Sequence, residues 1–576
     1  VGAECTNEAE VKKYFVYDGS WRSTGRGKEY WQEGEVRFPD EDCIKRDGAY
    51  RSLFGPCAAH NGIIFANSNH NVRLALRRLT GCRLRKIDID GVEHEEIDGG
   101  SYHYDLIDQQ KKFIADHEDL LMEIFSKYDY VLQEFTTLCE EALEHHDDPH
   151  PKKQLRINAM HELETTGEVA TRLWLRHVLY KFKRDEIAKP GKFGRMIGDL
   201  GVAASLQGFV ITKLIKQAME EEPIEYKGGT IYFCKKPTQK KLKWIFEQLI
   251  NPSGRFFFCY FSDDSCLSIR INGVVHTFNV DIASCDASHG PALFKLFSEM
   301  SHQENMAECL RILVEQCELP IRVQDVTSKM RTKSSKRRVT LKCDRPRLYS
   351  GSTITTVINN LANILIALSV AEHTFTGSVE AGIREAAEKA GYVVTCENCE
   401  TYHDIQFLKH SPVFDTNGNI QPLMNVGVLL RMSGTCKGDL PGSKNESIAA
   451  RARTFQRALL QGAYPHVSFT LIDNMKLSAA RVPISDKTQF LIDDRITTIF
   501  KYKTAEQTEP FDVHSHEMWQ RYKLDYREIV EIEEVFGRMS TFQHVSLPAI
   551  GKVLMKDYGL REQTGLSTYN HPTTCA

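Results

Sequence analysis

The chain has 576 residues, with 73 Lys and Arg against 77 Asp and Glu and a formal net charge of −4, so any nucleic-acid binding must come from local basic patches and not from bulk charge. Hydrophobic residues at 41% and charged residues at 26% are ordinary for a soluble globular protein, and about 100–200 residues per domain makes roughly three or four structural units. Sixteen scattered cysteines and no secretory apolar segment favour a reducing intracellular setting over a disulfide scaffold, while the longest apolar run, Leu361 to Ala371, is too short to span a bilayer.

Residues 1–100, rich in Gly, Arg and aromatics, read as irregular structure with short strands. From Asp105 to His146, apolar residues at Ile107, Ile114, Leu121, Ile124, Tyr128, Leu132, Phe135 and Leu138 share one face of long helical segments. Asp147-Asp148-Pro149-His150-Pro151 breaks them. Here a structural helix is the plainer reading. His161-Glu162-Leu163-Glu164 lacks the second His of a zinc-protease helix, and Gly442-Ser443-Lys444 lacks P-loop spacing.

Between Arg176 and Arg195 the chain carries seven basic residues, Arg176, Lys181, Lys183, Arg184, Lys189, Lys192 and Arg195, opposed only by Asp185 and Glu186. Pro190-Gly191 and Gly194 make this an irregular loop able to aim several cations at one point, for which a triphosphate is a natural guest. A solvated basic face is the alternative.

The strongest signal follows. Phe256 to Ser262 is an almost wholly apolar, strand-like run ending in Asp263-Asp264. Ser265 to Ile271 and Val274 to Val280 are β-rich, and Asn272-Gly273 between them is the two-residue turn signal of a hairpin. With Asn272 and Gly273 as the loop, Asp281 lies opposite Asp264; a loop shifted by one residue puts Asp263 there instead. Opposed side chains have Cβ atoms about 4.5–5.5 Å apart, so like charges at this point call for a cation between them. Hard carboxylate oxygens suit Mg²⁺ or Mn²⁺, and paired ions of this kind stabilise phosphoryl transfer. A lone Asp-Asp is otherwise a solvated turn.

A second basic stretch, Arg331 to Arg347, holds eight Lys and Arg against Asp344 alone and leads into the small-residue turn Tyr349-Ser350-Gly351-Ser352. Thr353 to Asn363 is helical in pattern despite its β-branched content, and Thr355 and Asn359, four apart, share a face beside that turn, well placed for a hydroxyl-bearing ligand. A helix through Glu380–Ala390 precedes two strands, Gly391 to Thr395 and Ile405 to His410. Cys396-x-x-Cys399 with His403 could hold zinc, though no second Cys pair stands at finger spacing. From Ser447 a helix-rich unit begins, with no evident catalytic residues.

Together these pieces resemble the viral RNA-dependent RNA polymerases over most of residues 176–430. Asp281-x4-Asp286-Ala287-Ser288 is similar to motif A, Ser350-Gly351 with Thr355 and Asn359 to motif B, and Ser262-Asp263-Asp264 to motif C. Gly391-Tyr392 resembles motif D, Phe407-Leu408-Lys409-His410 motif E, and Lys183 to Glu186 through Arg195 motif F. Motif C here precedes motif A. That C-A-B order resembles the permuted polymerases of permutotetraviruses and birnaviruses, and Asp-Asp favours the permutotetravirus side. A tight hairpin makes the order physically tolerable, because neighbouring strands can be joined by two residues without moving an active atom.

The resemblance implies an α+β right-hand fold of fingers, palm and thumb with an antiparallel palm sheet. Its units would be an N-terminal extension and fingers (1–170), fingers with the basic channel loop (171–250), palm with an interleaved fingers segment (251–430) and thumb (431–576). It implies RNA-templated RNA synthesis with two Mg²⁺ or Mn²⁺ ions held by Asp281 and Asp263, Asp264 being auxiliary. Asp286, Thr355 and Asn359, beside Ser350, would read the ribose 2′-hydroxyl, while Lys183, Lys192 and Arg195 would line the nucleotide channel. The partners would be RNA template and product and ribonucleoside triphosphates, with the Arg331–Arg347 run on template backbone. Some relatives attach the first nucleotide to a protein side chain, for which a Ser, Thr or Tyr among the first 170 residues would serve. The expected setting is a replication complex in the host-cell cytoplasm, or the virion. A catalytically silent RNA-binding relative and a reverse transcriptase are the alternatives. Two departures stand out: Ser262 replaces the usual Gly, and no motif D Lys follows Gly391, leaving His403 as either a substitute proton donor or a plain surface residue.

Overall fold

The computed structural model describes, before residue 102, several short strands and the longer antiparallel pair Cys82–Ile89 and Val92–Ser101, where irregular structure was expected, then residues 104–129, 178–182, 196–235, 237–324, 337–343, 345–428, 511–538 and 547–559, with a few isolated positions elsewhere. Lys183, Lys192 and Arg195 lie outside the described residues, as do the helical pattern beyond residue 129 and residues 449–460, which open the helix-rich unit; further along that unit the helices Ser515–Trp519, Tyr526–Arg538 and Pro548–Tyr558 form. The described architecture is mixed α+β, and its sheets are mostly antiparallel.

One six-stranded sheet organises the middle of the chain. Its strands, in spatial and in chain order, are β1 (Ile224–Tyr226), β2 (Gly229–Phe233), β3 (Phe256–Phe261), β4 (Asp264–Ile271), β5 (Val274–Ile282) and β6 (Val394–Asn398). Every neighbouring pair is antiparallel except β2 and β3. A parallel pair needs a crossover; helix Gln239–Ile250 supplies it, capped by the Thr238 hydroxyl on the Lys241 N–H at 3.1 Å.

The apolar run of β3 is explained by burial on both faces, as expected for a central strand. Phe256, Phe258 and Tyr260 pack into the main core, with residues of helices α1 (Val202–Glu221) and α2 (Thr355–Glu372). Phe257 and Cys259 point the other way, onto Leu242, Ile245, Phe246 and Leu249 of the crossover helix. Each such side chain contributes roughly 1.5–3 kcal/mol by leaving water.

The β4–β5 hairpin closes as the sequence predicts. Ile271 pairs with Val274 across Asn272 and Gly273, whose φ angles of 51° and 79° are those of a primed two-residue turn. Pairing continues to Ser265 opposite Val280, one step short of Asp264 and Asp281.

Helix α2 is, among the described residues, the one helix long and apolar enough to cross a membrane by length and composition. Most of it is buried inside the protein, where it packs beneath the sheet. The expected helix over Glu380–Ala390 runs from Val379 to Lys389, capped by Ser378. The periodic stretch after Asp105 forms two helices, Tyr104–Asp116 and Glu118–Ser126, separated at His117.

A second six-stranded sheet joins Val178–Phe182, Met196–Asp199, Ile321–Gln324 and Arg337–Cys343 with two short N-terminal strands. Its Val178–Phe182 and Met196–Asp199 strands, which flank most of the basic stretch in the chain, pair antiparallel. One expectation is corrected here: of the strand expected over Ile405 to His410, residues Ile405 to Lys409 are no strand. Leu408 and Lys409 both adopt left-handed backbone, φ 52° and 60°, and turn the chain into strand His410–Phe414.

Candidate active site

Strands β3 and β4 meet at a two-residue turn, Ser262-Asp263, with Phe261 paired to Asp264. Ser262 sits at φ 55°, a conformation that costs a side-chain-bearing residue about 1–2 kcal/mol. Three asparagines of α2 hold it there. The Ser262 N–H donates to Asn360 Oδ1 at 3.0 Å, Asn359 Nδ2 donates to the Ser262 hydroxyl at 3.2 Å, and Asn363 Nδ2 donates to the Ser262 carbonyl at 2.6 Å. All three are buried. The hydroxyl is a contact that glycine would lack, so the Ser at this position is tied to the helix beneath it.

Asp263, next in the chain, is exposed into a cleft of about 600 Å³. Asp281, at the end of β5, is exposed on the same cleft. Asp286, Ser350, Thr355 and Asn359 also line it. Of the ten predicted site residues, six therefore share this cavity, three lie outside the described residues, and Asp264 is not on its wall.

Asp264 faces another element. Its Oδ2 accepts the Leu408 N–H at 3.0 Å, which fixes the left-handed Leu408-Lys409 turn. Burial pushes its carboxyl up to about 7; nearby Lys409 and the Leu408 N–H oppose the rise, while Asp263 and Asp281 add to it. The pairing of Phe261 with Asp264 and of Ser265 with Val280 brings all three carboxyls to one end of the β3–β4–β5 ribbon, two on the cleft and one off its wall.

Asp286 accepts a hydrogen bond from the Ser350 hydroxyl at 2.9 Å. The Ser350–Gly351 loop rests on strand Met196–Asp199, the Gly198 N–H donating to the Ser350 carbonyl at 2.7 Å. Gly351 has φ 101°, and a Cβ there would stand 2.3 Å from the Gly198 carbonyl oxygen, so only glycine fits. Thr355 anchors the loop to the start of α2 by donating to the carbonyls of Tyr349 at 3.2 Å and Ser352 at 2.9 Å.

Sequence reasoning missed several residues at or behind the cleft. Arg78, from the N-terminal segment, is the one Lys or Arg among its described lining residues, and Ser284, Cys285 and Thr356 are lining residues too. Asn360, Asn363 and His289 act one layer behind. The asparagines were visible only as polar positions inside an apolar helix, a pattern that flags buried hydrogen-bonding work. At the far end of the second basic stretch, Arg347 is buried and donates to the Leu79 carbonyl at 3.0 Å, so it faces protein and not template. His403 pairs with Glu517 at 3.0 Å and is absent from the cleft lining.

Two carboxylates lining one cleft offer hard oxygen donors of the kind Mg²⁺ and Mn²⁺ take. Among the described residues no group of three or more His, Cys, Asp or Glu side chains is gathered to hold a metal. Such a donor set fits Mg²⁺ in its usual mode, with one or two carboxylates and the remaining ligands from water and substrate phosphates.

No family model matches the chain, and no curated protein does. Among solved structures it is similar to a birnavirus VP1–VP3 complex, with 10% identity, a TM-score of 0.39, and coverage of 66% of this chain and 56% of that one. It is likewise similar to the RNA polymerase VP1 from infectious pancreatic necrosis virus, with 11% identity, a TM-score of 0.38, and coverage of 79% and 69%. The chain thus spans little more than half the length of the first and about two thirds of the second.

Proposed function

We propose that this chain is an RNA-directed RNA polymerase of a virus, with a palm whose motif C precedes motif A. The observation that carries the reading is the shared cleft: Asp263 and Asp281, on adjacent hairpins, open into the cavity that also holds Asp286, Ser350, Thr355 and Asn359. Acidic groups and hydroxyl-binding groups gathered in one cavity suit the phosphates, through bridging cations, and the sugar of a ribonucleoside triphosphate. In this reading the six-stranded sheet is the palm, residues 431–576 the thumb, and the parts before residue 250 mostly fingers.

Asp263 and Asp281 would hold divalent ions, Mg²⁺ or Mn²⁺, which when bound supply activation of the RNA 3′-hydroxyl and charge stabilisation on the triphosphate. The chain's own work is positional. The asparagine clamp on Ser262 fixes where Asp263 stands, and the β5 register fixes Asp281. Ser350 orients the Asp286 carboxylate toward the sugar side. Arg78 on the cleft wall and the loop of Lys183, Lys192 and Arg195, whose flanking strand reaches the cleft at Met196 and Ile197, would meet the phosphates. Asp264 serves as the brace of the Leu408-Lys409 turn and not as a cleft ligand. A replication complex in the host-cell cytoplasm, or the virion, is the setting this reading proposes.

Extension of a short RNA primer–template by purified protein tests the proposal. Ribonucleotide incorporation should require Mg²⁺ or Mn²⁺ and fall roughly 10²–10³-fold in Asp281→Asn, as expected when a charge-stabilising group is removed. RNA binding without incorporation would mark a silent relative, and preference for deoxynucleotides would mark a reverse transcriptase. Either result overturns the proposal.

A further inference from the structure

His289 follows the short helix that carries Asp286, and its side chain is 2% exposed. Both ring nitrogens are engaged: Nδ1 stands 3.1 Å from the Tyr392 hydroxyl and Nε2 2.8 Å from Asn359 Oδ1. The same Asn359 oxygen faces the Cys285 thiol at 3.4 Å. Burial pushes that thiol well above its ordinary value, reinforced by Asp286, Asp263 and Asp281, so it stays protonated and donates. On its other side the Asn359 amide nitrogen donates to the Ser262 hydroxyl at 3.2 Å.

An amide side chain has one oxygen and two N–H donors. With the oxygen turned to His289 and Cys285 and one N–H on Ser262, what Asn359 can offer a ligand in the cleft is its second N–H. We propose that His289, itself steadied by Tyr392, is a positioning residue that locks the Asn359 amide in this sense and thereby sets the choice of ribose over deoxyribose. The inference rests on the polymerase reading and deepens it. A sugar hydroxyl both accepts and donates. Asn359 N–H supplies the donor to its oxygen, and the Asp286 carboxylate, oriented by Ser350, supplies the acceptor for its proton. Turned the other way, the amide would present its oxygen beside the Asp286 oxygens. One hydroxyl proton cannot satisfy two acceptors, and the advantage of the hydroxyl over hydrogen would shrink.

The test is incorporation of a ribonucleotide against its 2′-deoxy counterpart on one primer–template, by the full chain and by His289→Leu, His289→Gln and Tyr392→Phe, with melting temperatures recorded alongside. In His289→Leu, kcat/KM for the ribonucleotide should fall roughly 10–100-fold while the deoxynucleotide value holds, because a site built to hydrogen-bond a hydroxyl discriminates only while its groups are aligned. His289→Gln, whose amide N–H can reach the place of Nε2, should keep most of the discrimination. Tyr392→Phe should show a smaller loss confined to the ribonucleotide, and it carries the test if His289→Leu fails to fold. Equal losses on both sugars, or unchanged discrimination in the folded variants beside an active wild type, overturn the tether alone. A wild-type chain that incorporates neither sugar sinks the polymerase reading and the tether with it.

Discussion

Replacing Asn363 by Leu removes the donor to the Ser262 carbonyl, a 2.6 Å contact inside the protein, and leaves that carbonyl without its partner at a cost of about 1–3 kcal/mol. The larger effect falls on the turn. Three clamp bonds at roughly 0.5–1.5 kcal/mol each outweigh the left-handed backbone of Ser262, which costs about 1–2 kcal/mol. With Asn363 gone, the remaining two bonds are worth about 1–3 kcal/mol and only match that backbone cost, so the turn no longer has a single position. Asp263 is its next residue, and a displacement of about 1 Å at a reacting group costs on the order of 10²-fold in rate. Single-nucleotide extension should therefore drop by about two orders of magnitude, with a melting shift of roughly 2–4 °C per kcal/mol for a domain of this size. Adding Ser262→Gly should recover part of the rate, since Gly takes the conformation without strain. An Asn363→Leu enzyme running within about twofold of wild type, or a double variant no better than the single, refutes the clamp as the device that places Asp263.

Other expectations follow from the same packing. Gly351→Ala should abolish extension, because its Cβ meets the Gly198 carbonyl at 2.3 Å with φ at 101°, a backbone strain on the order of 1–3 kcal/mol before the clash is counted; incorporation and thermal unfolding measured together will show it. Burial lowers the His410 imidazole to about 4, so its contribution to stability is complete above its ordinary value of 6.5 and is lost as pH falls from there toward 4. The loss is about 1.4 kcal/mol per pH unit in that window, read by urea unfolding at stepped pH, and His410→Gln should flatten the slope. Asp557 accepts from Arg521 Nε at 3.1 Å, the Tyr522 hydroxyl at 2.8 Å and the Gly427 N–H at 2.8 Å. Asp557→Ala strands the buried Arg521 and should cost about 3–5 kcal/mol in denaturant titration.

What was legible in the sequence was local. Asn272-Gly273 fixed the hairpin and its register, because a turn needing positive φ at both central residues admits few sequences, and that register carried Asp281 to the neighbourhood of Asp263 and Asp264. The apolar run at Phe256 marked a strand buried on both faces. What escaped was long-range. Nothing near Asp264 in the chain announces that the Leu408 N–H will take its carboxylate, and the alternation around Ile405 to His410 reads as strand until that contact bends it. The clamp was hidden for a related reason: Asn359, Asn360 and Asn363 converge on one residue about a hundred positions earlier, and helical spacing alone cannot say which face meets it. Arg78 reached the cleft from a segment with no recognisable pattern.

The turn at Asn272 and Gly273 has a practical consequence. Both residues are exposed, and a Cβ placed on Gly273 meets nothing within 4 Å, while the carboxylates lie at the opposite end of the two strands it joins. A short tag or a fluorophore-bearing insert spliced between them would ride at the outer tip of the ribbon, leaving the cavity untouched, and would give a fixed reporter from which movements of the surrounding elements could be followed during turnover.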